Sequence, residues 1–291
     1  MKKRLISCLS ALMLVSCSTH IQLSCTTPSC VGLVKGSKLE IQAGNSDVGR
    51  RIQQTLIEEL QRGDFYTICD SGDYVLTLTD SKEHTWGSLS STPFGDDELE
   101  GTTEIETRIS LSSRENNIYG YSQAYSVSSD GMEADVEMLC HNIAQDLQPH
   151  RLLYREKLTV PAHNPSFVQA VDCAQGGVWQ LAHQHATQAT LQSPLEPEVH
   201  YLLGLIERQL GHFEASDACF RQAHQLKADA RYTEAIELNK LMRKGLQNAR
   251  FQLNLKEDAP FNPKTLPAYH KSAGNPWTQV FFPMNLQNIP R

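Results

Sequence analysis

Residues 200–226 read HYLLGLIERQLGHFEASDACFRQAHQL, and this stretch decides how the C-terminal half of the chain folds. Leu203 and Gly204 sit in a first helix, Gly211 and Phe213 mark a turn, and Phe220 and Ala223 belong to a second helix. Moving the frame back 34 residues pairs Gly211 with Gly177, Phe213 with Trp179, Ser216 with Ala182 and Ala223 with Ala189, while Ala228 meets Pro194. Gly204 meets Ala170, which is still small, and Phe220 meets Ala186, where an aromatic is lost. A turn glycine, an aromatic and small residues returning at one period mark stacked helical hairpins, none of which can bury its apolar stripe alone. Further on, Ala230–Lys244 supplies one more amphipathic helix with Ile236, Leu238 and Leu241 but no glycine turn, as a capping helix would.

These spacings resemble those of the tetratricopeptide repeat, with Ser216 standing where that family usually has Ala. The resemblance implies a helical repeat module over residues 164–248. Gly204, Ala182 and Ala223 would let neighbouring helices approach, and Trp179, Phe213 and Phe220 would fill the gaps between turns. Such a module offers a curved surface for a protein partner and supplies no catalytic group. His183, His185, His200, His212 and His224 concentrate here, but their spacing does not converge on a metal, so they read as solvated or capping residues. Residues 249–291 carry Pro260, Pro263, Pro267, Pro276, Pro283 and Pro290 and read as an extended Pro-rich tail, in which Trp277, Val280, Phe281 and Phe282 are apolar.

Upstream, residues 38–158 alternate helix and strand signals. Asn45 and Ser46 cap a helix with Val48, Ile52, Leu56, Ile57 and Leu60 on its stripe, and Gly63 ends it. Phe65–Cys69 and Tyr74–Thr79 read as strands, and residues 81–102 as a long exposed loop. Thr103–Ser112 and Ile118–Val127 read as a hairpin. A second helix follows, capped by Asp130 and carrying Met132, Val136, Leu139, Ile143 and Leu147. The fold class is therefore α+β: a small α/β sandwich domain followed by an all-α tetratricopeptide-like helical repeat domain. The element order, with the phrase IQQTLIEELQRGDFYTI at residues 52–68, loosely resembles the envelope lipoproteins of the curli-export and penicillin-binding-protein-activator groups.

At the N-terminus, MKKRLISCLSALMLVSC places a basic start before an apolar run from Leu5 to Val15. Rising about 16 Å as a helix, that run is too short to span a hydrocarbon core of about 30 Å, and residues 1–16 read as a signal peptide. Leu14-Val15-Ser16-Cys17 resembles the lipobox of bacterial lipoproteins, which implies acyl chains on Cys17 and a lipidated tether over residues 17–37. Ser18 after the cysteine, by the same resemblance, favours the outer membrane. Lipid of that length holds a soluble body on a membrane by itself.

Charge agrees with this division. Residues 17–160 carry a net −11 and residues 161–291 a net +1, within a total of −7. The acidic body disfavours nucleic acid. Export permits disulfides, and Cys25 and Cys30, five apart in a Ser/Thr/Pro-rich segment, read as a pair, while Cys69, Cys140, Cys173 and Cys219 read as buried small hydrophobes. Asp96, Asp97, Glu98 and Glu100 lack the order of a calcium loop, and no nucleophile elbow, zinc-protease, phosphate-loop or dinucleotide motif occurs. The expectation is a non-enzymatic, membrane-anchored envelope lipoprotein without cofactor or metal, acting as an interaction scaffold or regulator. The alternatives are a subunit of an outer-membrane secretion pore, or a periplasmic ligand-binding or hydrolytic protein with its site in the α/β domain.

Overall fold

The structure, a computed structural model, describes residues 18–91, 97–115, 119–129, 132–161, 163–256 and 259–271. The readings placed on residues 1–16, Cys17, Asp96, Asn116, Asn117, Ile118, Asp130 and the apolar segment from Trp277 to Phe282 lie outside the described residues. The described chain is mixed α/β. Its strands are β1 (Ser18–Thr27), β2 (Lys38–Ala43), β3 (Thr67–Ile68), β4 (Tyr74–Ser91), β5 (Asp97–Ser113), β6 (Tyr119–Ser129), β7 (His150–Thr159) and β8 (Ala268–His270). Its helices are α1 (Asp47–Arg62), α2 (Met132–Leu147), α3 (Pro165–Gln175), α4 (Trp179–Gln192), α5 (Pro197–Gln209), α6 (Phe213–Leu226) and α7 (Ala230–Gln252). Two compact units emerge: Ser24–Tyr154 with Lys240–Arg291, and Met1–Leu23 with Arg155–Asn239. Among the described residues no helix is long and apolar enough to cross a membrane.

In the first of these units a five-stranded sheet runs in the order β3-β2-β4-β5-β6. β2 is parallel to β3 and β4, whereas β4, β5 and β6 form an antiparallel meander. Strand alternation sends Leu39, Ile41, Leu76, Leu78, Ile105, Ile109, Leu111, Tyr121 and Val127 into one core. Ile52, Leu56 and Leu60 of α1, four apart and all at 0% exposure, pack there with Val136, Leu139, Ile143 and Leu147 of α2. Each such aliphatic side chain contributes roughly 1.5–3 kcal/mol by leaving water. Ser46 caps α1 as its position suggests, accepting the Gly49 amide on its Oγ at 3.0 Å. Edge strand β6 is fastened to α2 through Asp146, which accepts from Tyr125 at 2.5 Å and from Tyr121 at 3.3 Å. Burial raises the pKa of this carboxyl, against the lowering effect of the tyrosine hydroxyls and the Cys30 thiol that donate to it.

Four sequence readings are corrected. Residues 81–102, read as a loop, are mostly a β-ribbon: β4 and β5 stay paired from Tyr74↔Ser113 to Ser91↔Asp97, with a bulge between Thr79 and Lys82. Beyond Gly87 and Gly101 the ribbon outruns the pairing of both neighbours, since β2 pairs only as far as Leu78 and β6 only as far as Thr103. The tether begins instead as strand β1, in which Ile21 and Leu23 are buried. The alternation Ile21, Leu23, Cys25 is present in the sequence but is obscured by the surrounding Ser and Thr. Cys25 and Cys30 are free thiols: Cys25 is buried within β1, while the Cys30 side chain is directed to Asp146. Finally, residues 150–159 form β7, with Leu152, Tyr154 and Leu158 buried, and the expected tail contributes the end of α7 and the short strand β8 parallel to β7. Gln252 closes this part of the unit, its side-chain amide accepting the Ser29 amide at 2.8 Å and donating to the Ser29 carbonyl at 3.0 Å.

Candidate functional site

The other unit contains the helices that the sequence singled out. α3 ends at Gln175 and α5 at Gln209; α4 runs from Trp179 to Gln192 and α6 from Phe213 to Leu226, so three of these boundaries recur 34 residues apart. The turns are alike in their bonds. Gly176, Gly177 and Val178 donate their amides to Asp172, Ala174 and Cys173, and Leu210, Gly211 and His212 donate theirs to Ile206, Arg208 and Glu207. Gly177 has φ +72° and Gly211 φ +86°, a left-handed conformation in which a Cβ is unfavourable. At the far ends Ser193 donates to Ala189 and Lys227 to Ala223, again 34 residues apart.

Most of the singled-out side chains line the interior of these hairpins. Ala182, Ala223 and Phe220 have 0% exposure, and Gly204 lies directly against the Phe220 ring, where an added Cβ would stand 2.5 Å from Cε1. Trp179 and Phe213 open α4 and α6 and are half-buried. Leu203 is half-buried as well, and Leu202, Leu205 and Ile206 take the core positions of α5.

A polar seam that the sequence did not disclose ties α5, α6 and the start of α7 together. The Ser216 hydroxyl donates to the Gly204 carbonyl at 2.7 Å, so the departure from alanine supplies a buried hydrogen bond. Asn239 donates to the Phe213 carbonyl at 2.8 Å and to Asp217 at 2.7 Å, and accepts from Arg208 Nε at 3.2 Å. Arg208 donates to the Ala235 carbonyl and stacks 4.7 Å from the centre of the Phe220 ring. A second cluster surrounds Glu198, at the start of α5, which accepts from Arg231, from Tyr232 at 2.9 Å and from the Thr159 amide at 3.1 Å. Arg231 also lies over the rings of Tyr201 and Tyr232. Burial works to lower the Arg231 pKa, but the Glu198 carboxylate together with the Tyr232 and Tyr201 hydroxyls raises it overall; burial and the same carboxylate push the Tyr232 phenol up to about 12. An open cleft of about 650 Å³, lined by Lys157, Thr159, Glu198, Lys227, Arg231 and Tyr232 among others, adjoins this pair. The Glu198–Arg231 pairing already satisfies the charges at its centre.

Three of the histidines have protein partners. His183 and His212 hydrogen-bond the two oxygens of the buried Glu207 carboxylate at 2.8 and 2.7 Å, and His200 bonds the Pro194 carbonyl. No group of three or more metal-ligating side chains able to hold an ion occurs among the described residues.

No protein-family model matches the chain, and no curated protein matches it by sequence. Among solved structures it is similar to the PelC dodecamer from Paraburkholderia phytofirmans, at 16% identity over 45% of this chain and 98% of that one, with a TM-score of 0.30. It is also similar to a minor lipoprotein from Acinetobacter baumannii, at 12% identity over 38% of this chain and 90% of that one, with a TM-score of 0.28. The rare lipoprotein B from Shewanella oneidensis aligns at 12% identity over 53% of this chain and 98% of that one, with a TM-score of 0.23.

Proposed function

We propose that this chain is a membrane-anchored, non-enzymatic lipoprotein of the bacterial envelope, held at the outer membrane by acyl chains on Cys17, whose helices form a tetratricopeptide-like module that binds a partner protein. The observation that carries the reading is the return, 34 residues apart, of the same turn conformation, helix boundaries and backbone hydrogen bonds. The sequence Leu14-Val15-Ser16-Cys17 supports the address.

α5 offers little free surface, because Glu198, Val199, Tyr201, Leu202 and Gly204–Arg208 are all buried. Apolar surface is open on the first hairpin instead, where Val168, Val178, Leu181 and Leu191 are 44%, 51%, 41% and 72% exposed. Association that buries such side chains gains free energy from the area removed from water. In-cell photocrosslinking from positions 181 and 191, followed by identification of the captured protein, tests this reading. A reproducible partner lost in the Leu181→Asp, Leu191→Asp variant is expected, and Cys17→Ser should move the chain from the membrane to the soluble fraction. Crosslinking unchanged by the two aspartates would remove the interaction reading, and membrane retention of the serine variant would remove the anchor.

A further inference from the structure

Ser18 is covalently next to Cys17 and already belongs to strand β1. Gln175, at the end of α3, donates through Nε2 to Thr19 Oγ1 at 3.3 Å and to the His20 carbonyl at 2.7 Å, and Ile21 is wholly buried. No flexible spacer therefore separates the lipid site from this folded unit. At most about 3.6 Å per residue places His20 within about 11 Å of Cys17 and Gln22 within about 18 Å. With Cys17 acylated in a leaflet, the surface around the start of β1 lies at the level of the lipid headgroups.

That surface is basic. A cleft of about 600 Å³ is lined by His20, Ile21, Gln22, Arg155, Lys157 and Gln175, with no carboxylate among them. Arg155 and Lys157, two apart on β7, are both exposed, and neither makes an ion pair among the described residues. Glu156 between them turns the other way and accepts from the Tyr201 hydroxyl at 3.3 Å. Residues 17–160 carry a net −11 even with Arg155 and Lys157 counted, so a local cationic face is what would let an acidic chain approach an anionic leaflet.

Resting on the Cys17 lipidation reading above, the geometry points to a headgroup site in which His20, Arg155 and Lys157 bind the phosphates of anionic lipid in the leaflet that holds the acyl chains, setting how this unit stands on the membrane. Each cation at an anionic surface favours the docked orientation about fivefold, so the Arg155 and Lys157 pair favours it about thirtyfold.

The test uses the full lipidated chain carrying a fluorophore on Gln22→Cys, with the unsubstituted chain labelled in parallel as background. It is reconstituted into vesicles of phosphatidylethanolamine and phosphatidylglycerol in equal parts, or of phosphatidylcholine alone, each doped with nitroxide-headgroup lipid. Severalfold stronger quenching with phosphatidylglycerol is expected, falling to the phosphatidylcholine level in the Arg155→Gln, Lys157→Gln variant while flotation with the vesicles is unchanged. Equal quenching in both lipids, or quenching indifferent to the two substitutions, overturns the headgroup site while leaving the anchor standing. Failure to float, matching a Cys17→Ser control, refutes the anchor and the headgroup site together.

Discussion

Gly204→Ala should destabilise the helical unit even though alanine is the better helix former. The added methyl would stand 2.5 Å from Cε1 and 2.7 Å from Cδ1 of Phe220, well inside the roughly 3.5–4.0 Å at which carbons pack. The ring has nowhere cheap to go: it has 0% exposure, Arg208 lies 4.7 Å from its centre and the Tyr201 ring 5.6 Å away. Helix propensity favours alanine by about 1 kcal/mol. Overpacking costs about 1–3 kcal/mol, and disturbing the guanidinium stack adds about 0.5–1 kcal/mol. The balance is a loss of about 0.5–3 kcal/mol. In a Phe220→Leu background the smaller side chain makes room, and Gly204→Ala becomes neutral or stabilising by up to about 1 kcal/mol, so the two substitutions couple strongly. Guanidinium unfolding of the four proteins, followed at 222 nm, measures the cycle, and hydrogen exchange in α5 and α6 assigns the loss to this unit. Gly211→Ala is the contrast: its Cβ meets nothing within 4 Å, but φ is +86°, so its cost of about 1–2 kcal/mol is backbone strain indifferent to residue 220. A more stable Gly204→Ala protein, or an equal effect in both backgrounds, refutes the packing argument.

Glu198→Ala leaves Arg231 without its carboxylate and the Thr159 amide without its acceptor, and should cost about 3–5 kcal/mol in a denaturant titration, with Glu198→Gln losing less because it still accepts a hydrogen bond. His150 is held neutral by burial, with its pKa lowered to about 4 against the raising effect of the Gln148 carbonyl. The unfolded chain therefore takes up this proton first: stability is full above about pH 6.5 and falls towards pH 4 by at most roughly 3 kcal/mol, and His150→Gln should flatten that slope in a melting series. Asp146 behaves in the opposite sense, because burial raises its folded pKa. Its contribution is present below the ordinary carboxylate range and is lost as pH rises through the folded value, so Asp146→Asn should abolish that decline, as unfolding midpoints across the acidic range would show.

Much of the helical unit was legible because its signals are local. A left-handed turn needs glycine at residues 177 and 211, and helices joined by such turns announce themselves through small and aromatic residues at one period. The α1 stripe and the Ser46 cap were legible for the same reason. The ribbon of β4 and β5 was not, since residues 81–102 are mostly polar and carry no apolar alternation in the sequence, and β1 hid its alternation among polar residues. Of the positions singled out by spacing, Ala182, Gly204, Phe220 and Ala223 are buried while Trp179, Leu203 and Phe213 are half-buried, and the exposure of Leu181 and Leu191 depends on what the neighbouring helices leave uncovered.

The sequence by itself determined the existence and period of the hairpins and the mixed α/β character of the preceding residues, because each follows from backbone preference or periodicity within a continuous segment. Only the tertiary structure decided the partners of the buried polar groups. Ser216 finds the Gly204 carbonyl, Glu198 finds Arg231 33 residues away, and Gln252 finds Ser29 across 223 residues. A buried charge or amide accepts whichever complementary group packing delivers, and sequence separation carries no record of that delivery. The same reason explains the start of the chain, where the supposed tether is a strand because Ile21 and Leu23 have a core to enter.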